Sequence, residues 1–200
     1  MAAMDQPVEL AEPPDSEAQP VDGDVPEELA LRLSLAKAQS VEVPGPAAVI
    51  GADTVVALDG KIFGKPADDL EAREMLRRLR GKGHHVVTGV TVLDTVSGER
   101  AASATTTRVV MRPYTDDEIA AYVATGSPLD KAGAYAVQDP VFRPAASVDG
   151  CYLNVVGLPL CEVFDLLDRQ GVATRPRPGW RPPAECRDCR IRPDRGEGWT

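Results

Sequence analysis

The sequence has 200 residues, enough for one α/β domain with a buried core, and carries 31 acidic against 22 basic residues. The formal net charge of −9 disfavours DNA, RNA and anionic membranes as partners, because those surfaces attract basic patches. No apolar run reaches the roughly 20 residues of a membrane-spanning helix, and residues 1–31 contain neither Lys nor Arg, unlike a secretory signal. We therefore expect a cytoplasmic protein that binds neither nucleic acid nor membrane.

The four cysteines are too few for a disulfide scaffold in a chain of this length. Cys186 and Cys189 have the spacing of half a zinc site, but structural zinc takes four protein ligands, and no His or second Cys pair lies nearby. The sequence favours free thiols, with a metal role as the alternative.

The N-terminal part is predicted to be an acidic, Pro-rich segment over residues 1–24, with one short strand around Val8 and Leu10. A helix follows to about residue 39, with Asp24 and Glu27 in capping-box spacing. Its predicted inward residues lie at helical spacing: Leu29, Leu33 and Ala36.

Strands are predicted from apolar or β-branched runs at 47–58, 85–93 and 102–111. Asp59-Gly60 is a strong hairpin signal, so the chain is expected to turn back through residues 61–63. Shorter apolar stretches at 132–138 and 145–156 predict further strands.

Three more helices are predicted from apolar residues at helical spacing, the first beginning at Asp68 and the second with Thr115 and Glu118 in capping-box spacing. Their predicted inward residues are Ala72, Met75, Leu76 and Leu79 in the first, Ile119, Tyr122 and Val123 in the second, and Leu160, Val163, Phe164 and Leu167 in the third. The segment 172–200 is rich in Arg and Pro and is predicted to be a disordered tail. We expect an α/β domain over 25–171 with a mixed β-sheet flanked by helices.

Asp53 is unusual because it lies within an apolar strand, where a carboxylate loses its hydration unless it is paired, protonated or metal-bound. The residue either serves a functional site or reaches backbone N–H groups through a local bend at Gly51. The pattern alone favours neither.

Two lysines and a glutamine are weaker candidates than Asp53 for residues of a functional site. Lys65 stands between Gly64 and Pro66 before a helix, where an ammonium could contact phosphate; a surface turn is the simpler reading. Lys131 could also bind phosphate and the amide of Gln138 could contact a base, or both could belong to an ordinary strand. His84 and His85 are adjacent on a strand and face opposite sides, so they cannot share one metal.

Taken together, these segments resemble the Maf family of nucleoside triphosphate pyrophosphatases in order and spacing. The matching blocks are residues 49–56, 58–60 and 64–66, then Gly83-His84 with 87–90, then 128–135 with Gln138, and finally 154–160. The resemblance runs from about Val8 to Gly171. It implies an elongated sheet flanked by helices, similar to that of inosine triphosphatases, with two lobes around a nucleotide cleft.

The resemblance also implies an activity and roles for individual residues. Maf proteins hydrolyse nucleoside triphosphates to the monophosphate and pyrophosphate with Mg²⁺ or Mn²⁺. By resemblance, Asp53 is the catalytic carboxylate or a metal ligand, Glu17 is a second metal ligand, Lys65 and Lys131 contact phosphate, and Thr54 and Gln138 select the base. The pattern resembles the subgroup that prefers dTTP and UTP over 7-methyl-GTP, and a homodimer is expected.

Two departures set limits on this expectation. The family's Ser-x-Ser-Pro-Arg-Arg loop, which binds the triphosphate, has no counterpart in the sequence, so the Maf-like domain is expected to be incomplete at its N-terminus. Asp139-Pro140 also follows Gln138 where the family has a Gly-containing loop. The leading interpretation is a pyrophosphatase, and the alternative is a catalytically impaired nucleotide-binding or regulatory protein.

Overall fold

The computed structural model describes residues 3–11 and 23–186. The elements in chain order are α1 (Pro26–Gln39), β1 (Ala48–Leu58), β2 (Lys61–Phe63), α2 (Asp69–Leu79), β3 (Gly83–Asp94), β4 (Arg100–Met111), α3 (Asp116–Val123), two 3-10 turns (Ser127–Asp130 and Ala132–Ala134), β5 (Ala145–Asp149), α4 (Tyr152–Val156), α5 (Leu160–Arg169) and a last 3-10 turn (Ala184–Cys186).

The strands form one sheet in the order β2-β1-β3-β4-β5. Asp59 and Gly60 both have positive φ, 52° and 75°, as a two-residue hairpin requires, and the chain turns back there as predicted. The α/β class with helices around one sheet is confirmed. The four strand pairings that the structure describes are all antiparallel, because each connection returns the chain in the opposite direction. The expected mixed sheet would also contain a parallel pair, and none lies among these four.

Helix α1 packs unusually close to the centre of the sheet. A Cβ on Gly51 would lie 2.1 Å from the Ser34 carbonyl oxygen, and one on Gly89 would lie 2.3 Å from that of Ala30. Because glycine has no Cβ, the backbone of α1 can lie this close to the sheet at both positions. The close approach buries Ser34 and Ala38, whereas Ala36, expected to point inward, is exposed.

The start of α1 differs from the prediction. Val25 is the N-cap and makes no side-chain cap, while the Asp24 carboxylate lies 3.3 Å from the Arg32 guanidinium. The other predicted caps are confirmed: the Asp68 side chain accepts from the Glu71 N–H, and Thr115 and Glu118 form a capping box. All the predicted inward residues of α2, α3 and α5 are buried.

Two hydrophobic clusters cover the sheet face opposite α1. One contains Val56 and Leu58 of β1 with α2 and α3, and the other contains Ile50 and Ala52 with α5. The Thr54 side chain points to the same face of the sheet as these four residues and lies between the two clusters. The polar centre of β1 therefore sits where the two clusters meet.

Two predictions about irregular segments were wrong, and a third was right in part. Residues 8–10 contain no strand, and the N-terminal pairing is a single bridge between Met4 and Pro176. Residues 132–134 form a turn and not a strand, because Gly133 takes a left-handed φ of 69° that an extended chain does not have. The stretch 145–156 is a strand, as predicted, over β5, but its second half is the helix α4.

Part of the predicted disordered tail is packed. Val172 and Trp180 pack against the cluster around α5, and the Arg177 N–H donates to the Ala3 carbonyl at 2.7 Å. Residues 187–200, including Cys189, lie outside the described residues, so the domain boundaries stay predictions. None of the helices placed between residues 23 and 186 is long and apolar enough to cross a membrane.

Candidate functional site

A cavity of about 410 Å³ lies beside residues 52–56 of β1. Five of the six residues predicted from the sequence line this one cavity: Asp53, Thr54, Lys65, Lys131 and Gln138. The sixth, Glu17, lies outside the described residues. Segments that are up to 85 residues apart along the chain are thereby brought together, although their roles stay predictions.

Asp53 lies on the α1 side of β1. Its carboxylate forms an ion pair with the Lys37 ammonium, and its side chain is only 10% exposed. A carboxylate that has lost this much water needs a cation to remain charged, and α1 supplies one. Gly51, two residues earlier, allows the helix to come close enough for this contact.

Lys37 is a residue of the cavity lining that the sequence reasoning missed. The signal was present in the helix pattern, since Lys37 follows Leu29 and Leu33 at four-residue spacing. A charged residue that continues a buried stripe must meet an opposite charge or a ligand. Here the opposite charge is Asp53.

Thr54 points to the other side of β1 and belongs to a neutral network. Its hydroxyl lies 2.8 Å from that of Thr88 on β3, the strand partner directly opposite. The Thr88 hydroxyl donates to the backbone carbonyl of Asn154 at 2.9 Å. The Thr88 N–H donates to the side-chain oxygen Oδ1 of Asn154 at 3.1 Å. Thr88 and Asn154 are fully buried, so the cavity wall at Thr54 is held by a water-excluded array.

The same network fixes helix α4. Asn154 Nδ2 donates to the Val86 carbonyl at 3.0 Å and to the Thr107 hydroxyl at 2.9 Å. The Cys151 N–H, at the start of α4, donates to the Thr107 hydroxyl at 3.0 Å. Because α4 is only five residues long, these bonds, rather than its own turns, set the position of residues 155–157 in the cavity wall.

The two predicted phosphate-contacting lysines lie on neighbouring loops. Lys65 follows β2 and is exposed, and Lys131 stands between the two 3-10 turns with its ammonium 2.6 Å from Asp130. The Gly133 N–H donates to the Gly64 carbonyl at 3.0 Å, which ties the loops together. With Lys37, three lysines line the described cavity of an otherwise acidic protein, which suits a polyphosphate anion.

Gln138 lies in the loop that follows the second 3-10 turn, with its side chain exposed at the cavity. The next residues form a turn in which the Asp139 carboxylate accepts from the N–H groups of Val141 and Phe142, at 3.0 and 2.7 Å. This turn accommodates Pro140, the point at which the sequence departs from the family pattern.

His84 and His85 face opposite sides of β3, as predicted. His84 is 1% exposed, and its Nε2 lies 2.7 Å from the Tyr135 hydroxyl. Burial, with a smaller contribution from the charge of His85, lowers the pKa of His84 to about 4. Burial also raises the pKa of the Tyr135 hydroxyl, so both side chains are neutral at pH 7.

The fit of a divalent metal can be judged from the oxygen ligands at the cavity. Within residues 3–11 and 23–186, no cluster of three or more His, Cys, Asp or Glu side chains could hold a metal ion. Asp53 and Asp130 both line the cavity, however, and Mg²⁺ is commonly held by one or two carboxylates together with substrate phosphates. The residues present therefore fit a metal that arrives with a nucleotide. Cys186 is buried.

Comparisons with known proteins place the chain in a family. A family model described as Maf-like protein matches residues 2–170. A dTTP/UTP pyrophosphatase of Syntrophotalea carbinolica is 46% identical over 163 residues, which cover 80% of this chain and 74% of that protein. Proteins with the same name from Geobacter sulfurreducens and Geotalea uraniireducens are 46% and 47% identical, over 76% and 74% of this chain and 81% and 77% of their own lengths. The chain therefore belongs to the Maf family.

Proposed function

We propose that the protein hydrolyses dTTP, UTP and similar nucleoside triphosphates to the monophosphate and pyrophosphate. The single observation that carries the proposal is the convergence of Asp53, three lysines and Gln138 on one cavity. The printed names of the relatives support the substrate class.

The lysines hold the triphosphate. Lys65 and Lys131 approach from the two tied loops and Lys37 approaches from α1, so positive charge surrounds the cavity on two sides. Phosphoryl chemistry depends on positioned charge more than on a strong nucleophile, and ammonium groups stabilise the charge that develops on the phosphate oxygens.

Asp53 activates the water. The water oxygen attacks the α-phosphorus, its proton passes to the Asp53 carboxylate, and the bond from the α-phosphorus to the bridging oxygen breaks, so that pyrophosphate leaves. Lys37 holds the Asp53 side chain in place through the ion pair. Asp53 and the substrate phosphates would hold a bound Mg²⁺ or Mn²⁺, which would supply further neutralisation of the phosphate charge. Glu17 is retained as a predicted additional ligand.

The test is pyrophosphate release from dTTP, UTP and 7-methyl-GTP with Mg²⁺ or Mn²⁺. Asp53→Asn removes the base without changing the shape of the side chain, so we expect turnover of dTTP and UTP to fall at least about 100-fold. Asp59→Asn is the matched control, because Asp59 is exposed in the hairpin turn and Asn tolerates its positive φ. It should keep wild-type turnover. No turnover of any substrate, together with measurable dTTP binding, would instead support a nucleotide-binding protein.

A further inference from the structure

Helix α1 carries Lys37 to the cavity, and a buried hydrogen bond joins the preceding turn of this helix to the sheet. The Ser34 hydroxyl lies 2.8 Å from the Thr91 hydroxyl of β3, and both residues are fully buried. Ser34 precedes Lys37 by three residues, so the two side chains lie on the same face of the helix. Thr91 is the strand partner of Gly51, which comes two residues before Asp53. The bond is therefore adjacent to the ion pair on both elements.

The direction of this hydrogen bond can be assigned. The Ser34 hydroxyl donates its single hydrogen to the Leu31 carbonyl at 2.9 Å. The contact with Thr91 therefore takes its hydrogen from Thr91, and Ser34 accepts it. If α1 were displaced along the sheet, the Thr91 hydroxyl would lose this acceptor in the protein interior. A buried donor without an acceptor is costly, so the bond opposes the displacement.

The remaining buried contacts between α1 and the sheet are apolar. Gly51 and Gly89 present backbone to the helix. The buried side chains of this layer are Leu29, Ala30, Leu33, Val55 and Val87. Apolar contact is non-directional, so it holds the helix against the sheet without fixing its position along the strands. A hydrogen bond depends steeply on distance and angle, so the bond between Ser34 and Thr91 supplies that restraint.

Another hydrogen bond between α1 and the sheet lies at the end of the helix that is remote from Lys37. The Thr106 hydroxyl donates to the Glu27 carboxylate at 3.0 Å, and both residues are exposed. Water competes for an exposed bond, whereas water is excluded from the bond between Ser34 and Thr91. The buried bond is therefore better placed to fix the part of α1 that reaches the cavity.

We propose that Ser34 and Thr91 are positioning residues for hydrolysis, because their buried hydrogen bond sets the position of the Lys37 ammonium beside the Asp53 carboxylate. The inference rests on the proposed function. A small displacement of a group that acts in the reaction lowers the rate of the chemical step. The other two lysines of the cavity lie on loops that this bond does not touch, so substrate binding should change little. Loss of the bond should therefore lower kcat and leave KM nearly unchanged.

The experiment measures kcat and KM for dTTP in Thr91→Val, Thr91→Ser and Thr105→Val. Valine has nearly the shape of threonine without the hydroxyl, so in Thr91→Val we expect kcat to fall about 10-fold and KM to stay within about 2-fold of wild type. Thr91→Ser keeps the hydroxyl and should restore kcat. Thr105→Val is the matched control, because Thr105 is buried on β4 opposite Thr88 and faces away from α1. It should keep the wild-type kcat.

A double variant separates positioning from a general loss of stability. Lys37→Met has no ammonium to position, so adding Thr91→Val to it should lower kcat by less than about 2-fold more. A further fall of about 10-fold would overturn the inference, because the bond would then act independently of Lys37. A loss of stability alone would lower kcat equally in both backgrounds.

The other outcomes distinguish this inference from the proposed function. A wild-type kcat in folded Thr91→Val would overturn the inference and leave the hydrolase intact. Ser34→Ala removes the same bond from the helix side and should reproduce the fall in kcat, so it provides the test if Thr91→Val does not fold. A wild-type protein that hydrolyses no nucleoside triphosphate would contradict the proposed function itself.

Discussion

At the centre of β1, the polar side chain on one face of the sheet is charged and the polar side chain on the other face is neutral. On the α1 face, Asp53 carries a charge that is balanced by Lys37, a long side chain from a neighbouring helix. On the other face, Thr54 ends a neutral network in which Thr88 and Asn154 are completely buried. Adjacent residues of one strand thus present a charged carboxylate and a neutral hydroxyl to the same cavity.

The difference assigns separate tasks to the two faces. An ion pair with a lysine keeps a charged carboxylate in position at the cavity, and this suits a group that takes part in the reaction. A buried network in which backbone groups fix the side chains cannot rearrange cheaply, and this suits a rigid wall of the cavity. The four predictions below act on one face or the other.

The largest expected effect is on the neutral face. Asn154→Ala leaves the Thr88 N–H and the Val86 carbonyl without their side-chain partners and removes a bond to Thr107. We expect the free energy of unfolding, measured by urea denaturation, to fall by about 4 kcal/mol. Gln170→Ala, which truncates a partly exposed amide at the end of α5, should cost less than about 0.5 kcal/mol. A loss below 1 kcal/mol for Asn154→Ala would show that the network is not rigid.

The next effect concerns the charged face. Gly89→Ala places a Cβ 2.3 Å from the Ala30 carbonyl oxygen, so α1 must move away from the sheet. We expect a loss of about 3 kcal/mol in the free energy of unfolding, and reduced turnover because Lys37 moves with the helix.

Gly83→Ala provides the control on the same strand. Its Cβ would meet only the flexible end of the Arg108 side chain, at 2.7 Å, so its stability should stay within about 0.5 kcal/mol of wild type. Equal stabilities for the two variants would mean that α1 does not depend on the glycine.

A smaller effect is expected from removal of the cation that pairs with Asp53. Lys37→Met keeps the length of the side chain and loses its charge, so turnover of dTTP should fall about 100-fold. Lys61→Met, on the exposed side of β2, should leave turnover unchanged. Wild-type turnover in Lys37→Met would exclude the ion pair from the reaction.

The smallest expected effect on stability appears only at acidic pH. It tests whether the buried His84 side chain is neutral in the folded protein. The pKa of His84 falls from 6.5 to about 4 on folding, so between these values the unfolded chain binds a proton that the folded protein does not. Stability is therefore complete above pH 6.5 and is lost as the pH falls. From pH 7 to pH 5 this contributes a loss of about 2 kcal/mol in the free energy of unfolding.

His84→Gln should remove this contribution, and the difference can be measured by urea denaturation at the two pH values. His85→Gln keeps the buried imidazole and should retain the wild-type pH dependence. Identical slopes in the wild-type protein and His84→Gln would contradict the assignment.

Much of the fold could be predicted from local patterns. The hairpin at Asp59-Gly60 and the apolar stripe of α2 depend on neighbours within a few residues, and both are confirmed. The predicted site residues came from the order of motifs along the chain, and all of those in the described part lie at one cavity.

The missed features depend on contacts between distant segments. Asn154 lies in a short apolar run that was interpreted as a strand, and its helix is fixed by partners on β3 and β4, up to 68 residues away. Lys37 was missed because its partner Asp53 lies 16 residues further along the chain, on the strand against which α1 packs. Trp180 and Arg177 help to hold a segment whose composition predicts disorder, because the partly buried Trp180 ring packs on the cluster around α5 and the Arg177 N–H donates to the Ala3 carbonyl.

The role of the charged face is tested most directly by turnover of dTTP in Asp53→Asn and Lys37→Met, measured beside the controls Asp59→Asn and Lys61→Met. Each of the first two should lower turnover about 100-fold, and each control should keep the wild-type rate. Wild-type turnover in Asp53→Asn would contradict the account, because the reaction would then not depend on this carboxylate.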